Sequence, residues 1–317
     1  MEKQDAAALT NGKLIALCKG LTDGPLLIAI GQMHGNEPAG TAGIRRAEEW
    51  LKAWQAVSPD RTLRGTFAGI CGNMAAARAG LRFVREDLNR LWRPDRVERL
   101  LCAPLETLHE DERELVETLR LVHQLRDGCA PGTPMVVLDL HTTTAAGGSF
   151  ALAGDSPLAA HLANGLQAPV VHGMLAHLQG TALSYFTEER FAQTTTGLAY
   201  EAGQHSDPQS PKRVEAAILQ VMRALRMLPK TEDRGPSSGE APRHLRLVYR
   251  HPVETGDGFS MRPGYENFQS VSKDEWLAND RNGPILCPAD GFMLMPLYQK
   301  QGSDGFFILQ ALDLPST

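Results

Sequence analysis

The chain reads as an α/β protein, a mixed, mostly parallel sheet flanked by helices, with a small β domain at its C-terminal end. Three observations predict this. Short apolar runs alternate with helical patterns up to about residue 230, and a polar stretch rich in Pro, Gly and Ser follows at 231–243. Beyond it, from 244 to 317, turn signals separate β-type segments with no helical pattern among them.

Taken in order, KLIALCK (13–19) and PLLIAI (25–30) are apolar runs of strand length. AGTAGIRRAEEWLKAWQAV (39–57) is predicted as a helix, with Pro38 near its first turn. TFAGICG (66–72) is the next strand, and DERELVETLRLVHQL (111–125) a helix whose acidic start suits the helix dipole. Strands follow at PMVVLDL (134–140), SFALAG (149–154), PVVHGM (169–174) and GLAYEAG (197–203). SPKRVEAAILQVMRALRML (210–228) carries the clearest helix signals, Ser210 as N-cap and Pro211 at the first helical position. In the last part, HLRLVYRHPVE, PILCPADGFMLMPLY and GFFILQAL are the β-type segments.

Bulk properties narrow the function classes. With 317 residues, 42% hydrophobic and 22% charged, the chain has the composition of a globular protein with a substantial core. A net charge of -5 and the lack of a long Lys/Arg run argue against a nucleic-acid partner. The first twenty residues show no basic and apolar export pattern, and no run approaches a membrane span. Five scattered cysteines, none spaced C-x-x-C, read as reduced thiols, and a cytoplasmic location is expected.

The chemistry concentrates at strand ends. His34 and Glu37, in GQMHGNEPAG, directly follow PLLIAI, and His141 ends PMVVLDLH. Taken singly, each is an ordinary polar residue of a loop or strand end. Together, two His and one Glu make the ligand set of catalytic zinc sites that keep a fourth position for water. Asp139 and His141 share one face of their strand, so Asp139 is placed to orient the imidazole. RFVREDLNRLW (82–92) groups Arg82, Arg85, Asn89 and Arg90, with Arg93 following. Arg85 and Arg93 read as solvated surface, whereas Arg82, Asn89 and Arg90 carry planar donors suited to a substrate carboxylate or a developing oxyanion. Glu201 stands in an otherwise apolar or small strand, where a carboxylate needs a partner or a task.

HGNE, N-x-x-A, RF with DLNR, DLH and the Glu of E-x-G, in this order between about residues 28 and 205, resemble the succinylglutamate desuccinylase and aspartoacylase family. The resemblance implies a zinc carboxypeptidase-like fold, with a zinc-dependent hydrolytic domain at 1–230, a linker at 231–243 and a capping β domain at 244–317. It implies one Zn2+ per chain on His34, Glu37 and His141, with Glu201 as general base and Arg82 polarising the scissile carbonyl. Asn89 and Arg90 correspond to substrate-carboxylate binders. Arg190 lies near the position of a second such arginine, and Tyr298 near that of a tyrosine from the C-terminal domain. Gln204 and His205, after the Glu-x-Gly, depart from the commoner pattern.

The activity implied is hydrolysis of the amide of a small N-acyl amino acid, N-acetyl- or N-succinyl-aspartate or -glutamate in type. No nucleic acid or membrane partner is expected, and a homo-oligomer is compatible with the sequence. A zinc carboxypeptidase acting on peptides or peptide-like wall fragments shares the metal set and base. A binding protein that has lost its chemistry is a third reading, and the presence of all three ligands and Glu201 argues against it.

Overall fold

The structure is a computed structural model describing residues 12–154, 156–229, 243–254 and 256–312. The stretch expected as a linker, 231–243, lies outside these residues except for Arg243. Seven strands form before it: β1 (Leu14–Lys19), β2 (Thr22–Gly31), β3 (Arg64–Cys71), β4 (Met135–Thr143), β5 (Phe150–Ala153), β6 (Val170–His172) and β7 (Thr195–Gln204). After it come β8 (His244–Pro252), β9 (Ser260–Met261), β10 (Ser270–Val271), β11 (Trp276–Asp280), β12 (Gly283–Leu286), β13 (Gly291–Leu294) and β14 (Asp304–Ala311).

Eleven of these strands make one sheet, in the order β1-β3-β2-β4-β7-β5-β6-β8-β14-β13-β10. Its centre, β3-β2-β4-β7, is parallel. A second, antiparallel sheet joins β12, β11 and β9. The C-terminal strands are thus divided: β9, β11 and β12 form the small sheet, while β8, β14, β13 and β10 continue the large one. Val171 of β6 pairs with Leu245 of β8, so the large sheet runs on into the C-terminal strands. The physical reason is that β6 would otherwise present an open edge with unpaired N–H and C=O groups.

The centre is apolar because both faces are covered. Leu26, Ile28 and Ile30 of β2 enter a cluster with Trp92 and Leu115, while Leu27 and Ala29 enter another with Ile44 and Val214. Three long helices supply those covers: α1 (Ala39–Ala56), α2 (Glu110–Asp127) and α3 (Ser210–Ala224). At α3 the expectation for Ser210 is corrected. Gln209 is the N-cap, and the buried Ser210 hydroxyl donates to the carbonyls of Ala202 and Gln204, tying the helix to the end of β7. No disulfide joins the five cysteines, all of which are among the described residues. No helix among the described residues is long and apolar enough to cross a membrane.

Candidate functional site

β2, β4 and β7 are parallel neighbours, so their C-terminal ends open on the same edge of the sheet. Beyond β2 the chain turns through Gln32, at φ 52°, and its amide side chain donates to Gly35 O while accepting from the Thr41 hydroxyl. Gly35 is required there: a Cβ would lie 2.1 Å from the carbonyl carbon of Ala76. The loop is thereby pressed onto the short helix Met74–Ala79, which holds His34 and Glu37 towards β4.

The ligand atoms of His34, Glu37 and His141 all lie within 4.8 Å of one another, and all three residues are buried. His34 Nδ1 stands 2.8 Å from Glu37 Oε1, and His141 Nδ1 stands 3.1 Å from Glu37 Oε2. Each ring also has a carboxylate on its far side. His34 Nε2 is 3.0 Å from Asp87 Oδ1, and His141 Nε2 is 2.9 Å from Asp139 Oδ2. An Nε2–H donating to a carboxylate leaves the Nδ1 lone pair for a cation, so both Nδ1 atoms point at one place.

Without a cation, positive charge on an imidazole takes its place, and His141, despite its burial, is raised well above the usual imidazole range by Asp139 and Glu37. Burial works against a charged Glu37, yet the imidazoles of His34 and His141 hold it well below the usual carboxylate range. Burial works against a charged Asp87 too, and His34 and Arg82 outweigh it. Three carboxylates, Glu37, Asp87 and Asp139, thus surround two imidazoles, an excess of negative charge that a divalent cation neutralises. With two nitrogen donors and one carboxylate, the set fits zinc.

Glu201 pairs with His141 across β4 and β7. It is buried, and its Oε2 has no hydrogen-bond partner among the described residues. Burial, together with the charges of Glu37 and Asp139, pushes its carboxyl up to about 8 against the opposing His141 and Arg82. Gly203, two residues on, has φ 100°, a left-handed conformation that glycine takes without strain and that turns the chain past Glu201.

Arg82 sits beside this group, its Nη2 3.0 Å from Asp87 Oδ2 and its Nη1 3.6 Å from Glu37 Oε1. The loop that carries it is organised by Asp111, wholly buried in the first turn of α2. Asp111 accepts from the backbone N–H of Val84, Arg85 and Glu86 and from the Asn73 amide. Asn89 is buried: its Oδ1 accepts from Ala182 N, and its Nδ2 lies 3.4 Å from His141 Nε2. Arg90 donates to Asn89 O and to Asp304 Oδ2, and Asp304 is also held by Arg250. His205 accepts or donates at Nδ1 with the Thr142 hydroxyl, at 2.7 Å, and its Nε2 has no partner among the described residues. Burial lowers the pKa of this imidazole.

The structure therefore brings His34, Glu37, His141, Glu201, Arg82, Asn89 and Arg90 to one edge of the sheet. It does not bring Arg190 or Tyr298 there. Arg190 is exposed and lies 5.1 Å over the Tyr185 ring, on the short helix Glu188–Phe191. The Tyr298 hydroxyl is spent on the backbone of Arg262 and Tyr265, though its neighbours Leu297 and Gln299 line the cleft. Three carboxylates escaped the sequence reading: Asp87, Asp111 and Asp304. Asp87 stood within DLNR, but its partner His34 is 53 positions away, and no local pattern announces such a pair.

The profile of the succinylglutamate desuccinylase/aspartoacylase catalytic domain matches residues 23–228. No curated protein matches the chain by sequence. Among solved structures, a succinylglutamate desuccinylase from Vibrio cholerae is similar at 17% identity and TM-score 0.64, covering 92% of this chain and 82% of that one. A succinylglutamate desuccinylase/aspartoacylase from Rhodobacter sphaeroides is similar at 16% identity and TM-score 0.64, covering 95% and 88%. Murine aminoacylase 3 is similar at 18% identity and TM-score 0.60, covering 92% and 96%. These likenesses show a shared fold. With its catalytic-domain match spanning well over half of the 317 residues, the chain belongs to the succinylglutamate desuccinylase/aspartoacylase family.

Proposed function

We propose that this chain is a zinc-dependent amidohydrolase that cleaves the amide of a small N-acyl amino acid, releasing a carboxylate and the free amino acid. The observation that carries it is the convergence of His34 Nδ1, His141 Nδ1 and Glu37 beside Glu201, whose Oε2 has no hydrogen-bond partner among the described residues. A Zn2+ held by His34, Glu37 and His141 supplies a Lewis acid that polarises a carbonyl and makes water acidic enough to attack at neutral pH.

The side chains divide the remaining work. Glu201 takes the proton of the attacking water and returns it to the leaving nitrogen, since an amine leaves poorly unless protonated. Arg82, fixed by Asp87, directs its guanidinium at the oxygen on which charge develops. Arg90, braced by Asn89 O and Asp304, faces the cleft as a receptor for the substrate carboxylate. Residues 244–317 act as the cap, because Leu297, Gln299 and Asp304 wall the cleft.

The test is release of free amine from a panel of N-acetyl and N-succinyl amino acids by zinc-loaded protein and by Glu201→Gln. Activity in the wild type, lost in a variant that still binds zinc, supports the proposal. Faster turnover of peptides than of any panel member decides for a carboxypeptidase, and failure to bind zinc rejects the metal reading.

A further inference from the structure

The space beside the ligand group is small, about 70 Å³, with Arg82, His205 and Met295 in its wall. Arg90, Leu297 and Gln299 line it and also line an outer cavity of about 700 Å³, so the two spaces adjoin at these residues. The outer volume falls in the range of roughly 300–1,000 Å³ in which pockets bury ligands of drug size. The inner one is about a tenth of that size. On the reading proposed above, the scissile carbonyl must reach the ligands. The inner space then receives the acyl group, and the amino acid occupies the outer one.

The outer walls say what kind of amino acid fits. Phe83, Val253, Phe259 and Leu297 present apolar surface. Several of the charges there are already taken: Glu86 is matched by Arg96 and Asp87 by Arg82, and Arg90 is assigned above to the substrate's own α-carboxylate. Among the lining residues this leaves Glu254, Asp257 and Lys300, with the Asp257 carboxylate accepting from the backbone N–H of Glu254 and Phe259. A second carboxylate entering the cavity meets two like charges and one opposite charge, whereas an apolar or basic side chain meets rings and carboxylates.

We infer that the outer cavity is the subsite for the amino-acid half of the substrate, and that it selects a large apolar or basic amino acid, joined to a short acyl group, over aspartate or glutamate. The inference rests on the proposed amide hydrolysis, and the experiment separates the two.

Zinc-loaded enzyme is assayed on Nα-acetyl and Nα-succinyl forms of aspartate, glutamate, alanine, phenylalanine and lysine. The expected result is a kcat/KM for acetylphenylalanine or acetyl-lysine about tenfold or more above that for acetylaspartate, with acetyl preferred over succinyl. Two variants place the effect. Val253→Trp, which fills the cavity, lowers kcat/KM for the large substrates about tenfold and leaves acetylalanine within about twofold. Glu254→Lys moves the lysine-to-aspartate ratio towards aspartate by about threefold to tenfold, the effect of reversing one exposed charge nearby. Highest activity on acidic amino acids or on succinyl amides overturns the inference while leaving the hydrolysis intact, as do unchanged ratios in both variants. No hydrolysis of any panel member rejects the proposed function, and the subsite falls with it.

Discussion

His34 is held between two carboxylates: its Nε2 lies 3.0 Å from Asp87 Oδ1 while its Nδ1 faces Glu37 Oε1 at 2.8 Å. Asp87 therefore sets the tautomer and aim of a metal ligand, and it also anchors Arg82. Asp87→Asn is expected to weaken zinc binding roughly ten- to a hundredfold, the usual cost of losing an outer carboxylate. Competition with a chelator of known affinity measures this. Unchanged affinity removes Asp87 from the support of the metal.

Arg82 lies against the same carboxylates but is not a ligand. Arg82→Ala is expected to lower kcat about a hundredfold or more with zinc still bound, since its contribution is made to charge that develops during reaction. If KM alone changes, Arg82 binds the ground state instead.

Arg90 reaches the cleft with Asp304, from β14, fixing one of its arms at 2.9 Å. Arg90→Ala is expected to raise KM chiefly. Asp304→Asn acts in the same direction through Arg90, so adding it to Arg90→Ala changes KM little further. A double-mutant cycle reads this directly, and additive effects assign Asp304 a separate, structural role.

Glu201 makes the metal-free fold pH-sensitive. Its carboxyl is raised in the folded protein from the ordinary 4.5 to about 8, so folding favours the protonated form. The associated stability is present below about pH 4.5 and is lost as pH rises towards 8. In metal-free protein, Glu201→Gln is expected to melt at higher temperature than wild type, by a margin that grows from pH 5 and levels off near pH 8. Parallel melting curves across that range contradict the shift.

Asp111 accepts three backbone N–H groups from inside the protein. Asp111→Ala leaves those donors without a partner and is expected to destabilise the fold by roughly 3 kcal/mol or more, at about 1–3 kcal/mol for each buried unsatisfied group. Denaturant unfolding measures the loss. A change below about 1 kcal/mol indicates that water replaces the carboxylate.

The sequence by itself determined the α/β class, the order of the central strands' elements and the ligand candidates. These are local matters. A strand covered on both faces must be continuously apolar, as PLLIAI and PMVVLDL are, and polar residues at the ends of such strands stand out against them. It also singled out Glu201, because a carboxylate in an apolar strand contradicts its surroundings.

Only the tertiary structure decided the rest. Whether the C-terminal strands stand apart or extend the main sheet depends on the β6–β8 pairing, for which apolar patterning carries no code. The roles of Asp87, Asp111 and Asp304 depend on partners brought together by chain folding. A carboxylate looks the same in sequence whether it is solvated or bound to a buried ring. Arg190 lies over the Tyr185 ring and the Tyr298 hydroxyl meets the backbone of Arg262 and Tyr265, contacts that their residue types do not announce. Sequence periodicity reports which face of an element is buried, whereas the partner of a buried polar atom is set by distance in space, and that distance exists only once the sheet has formed.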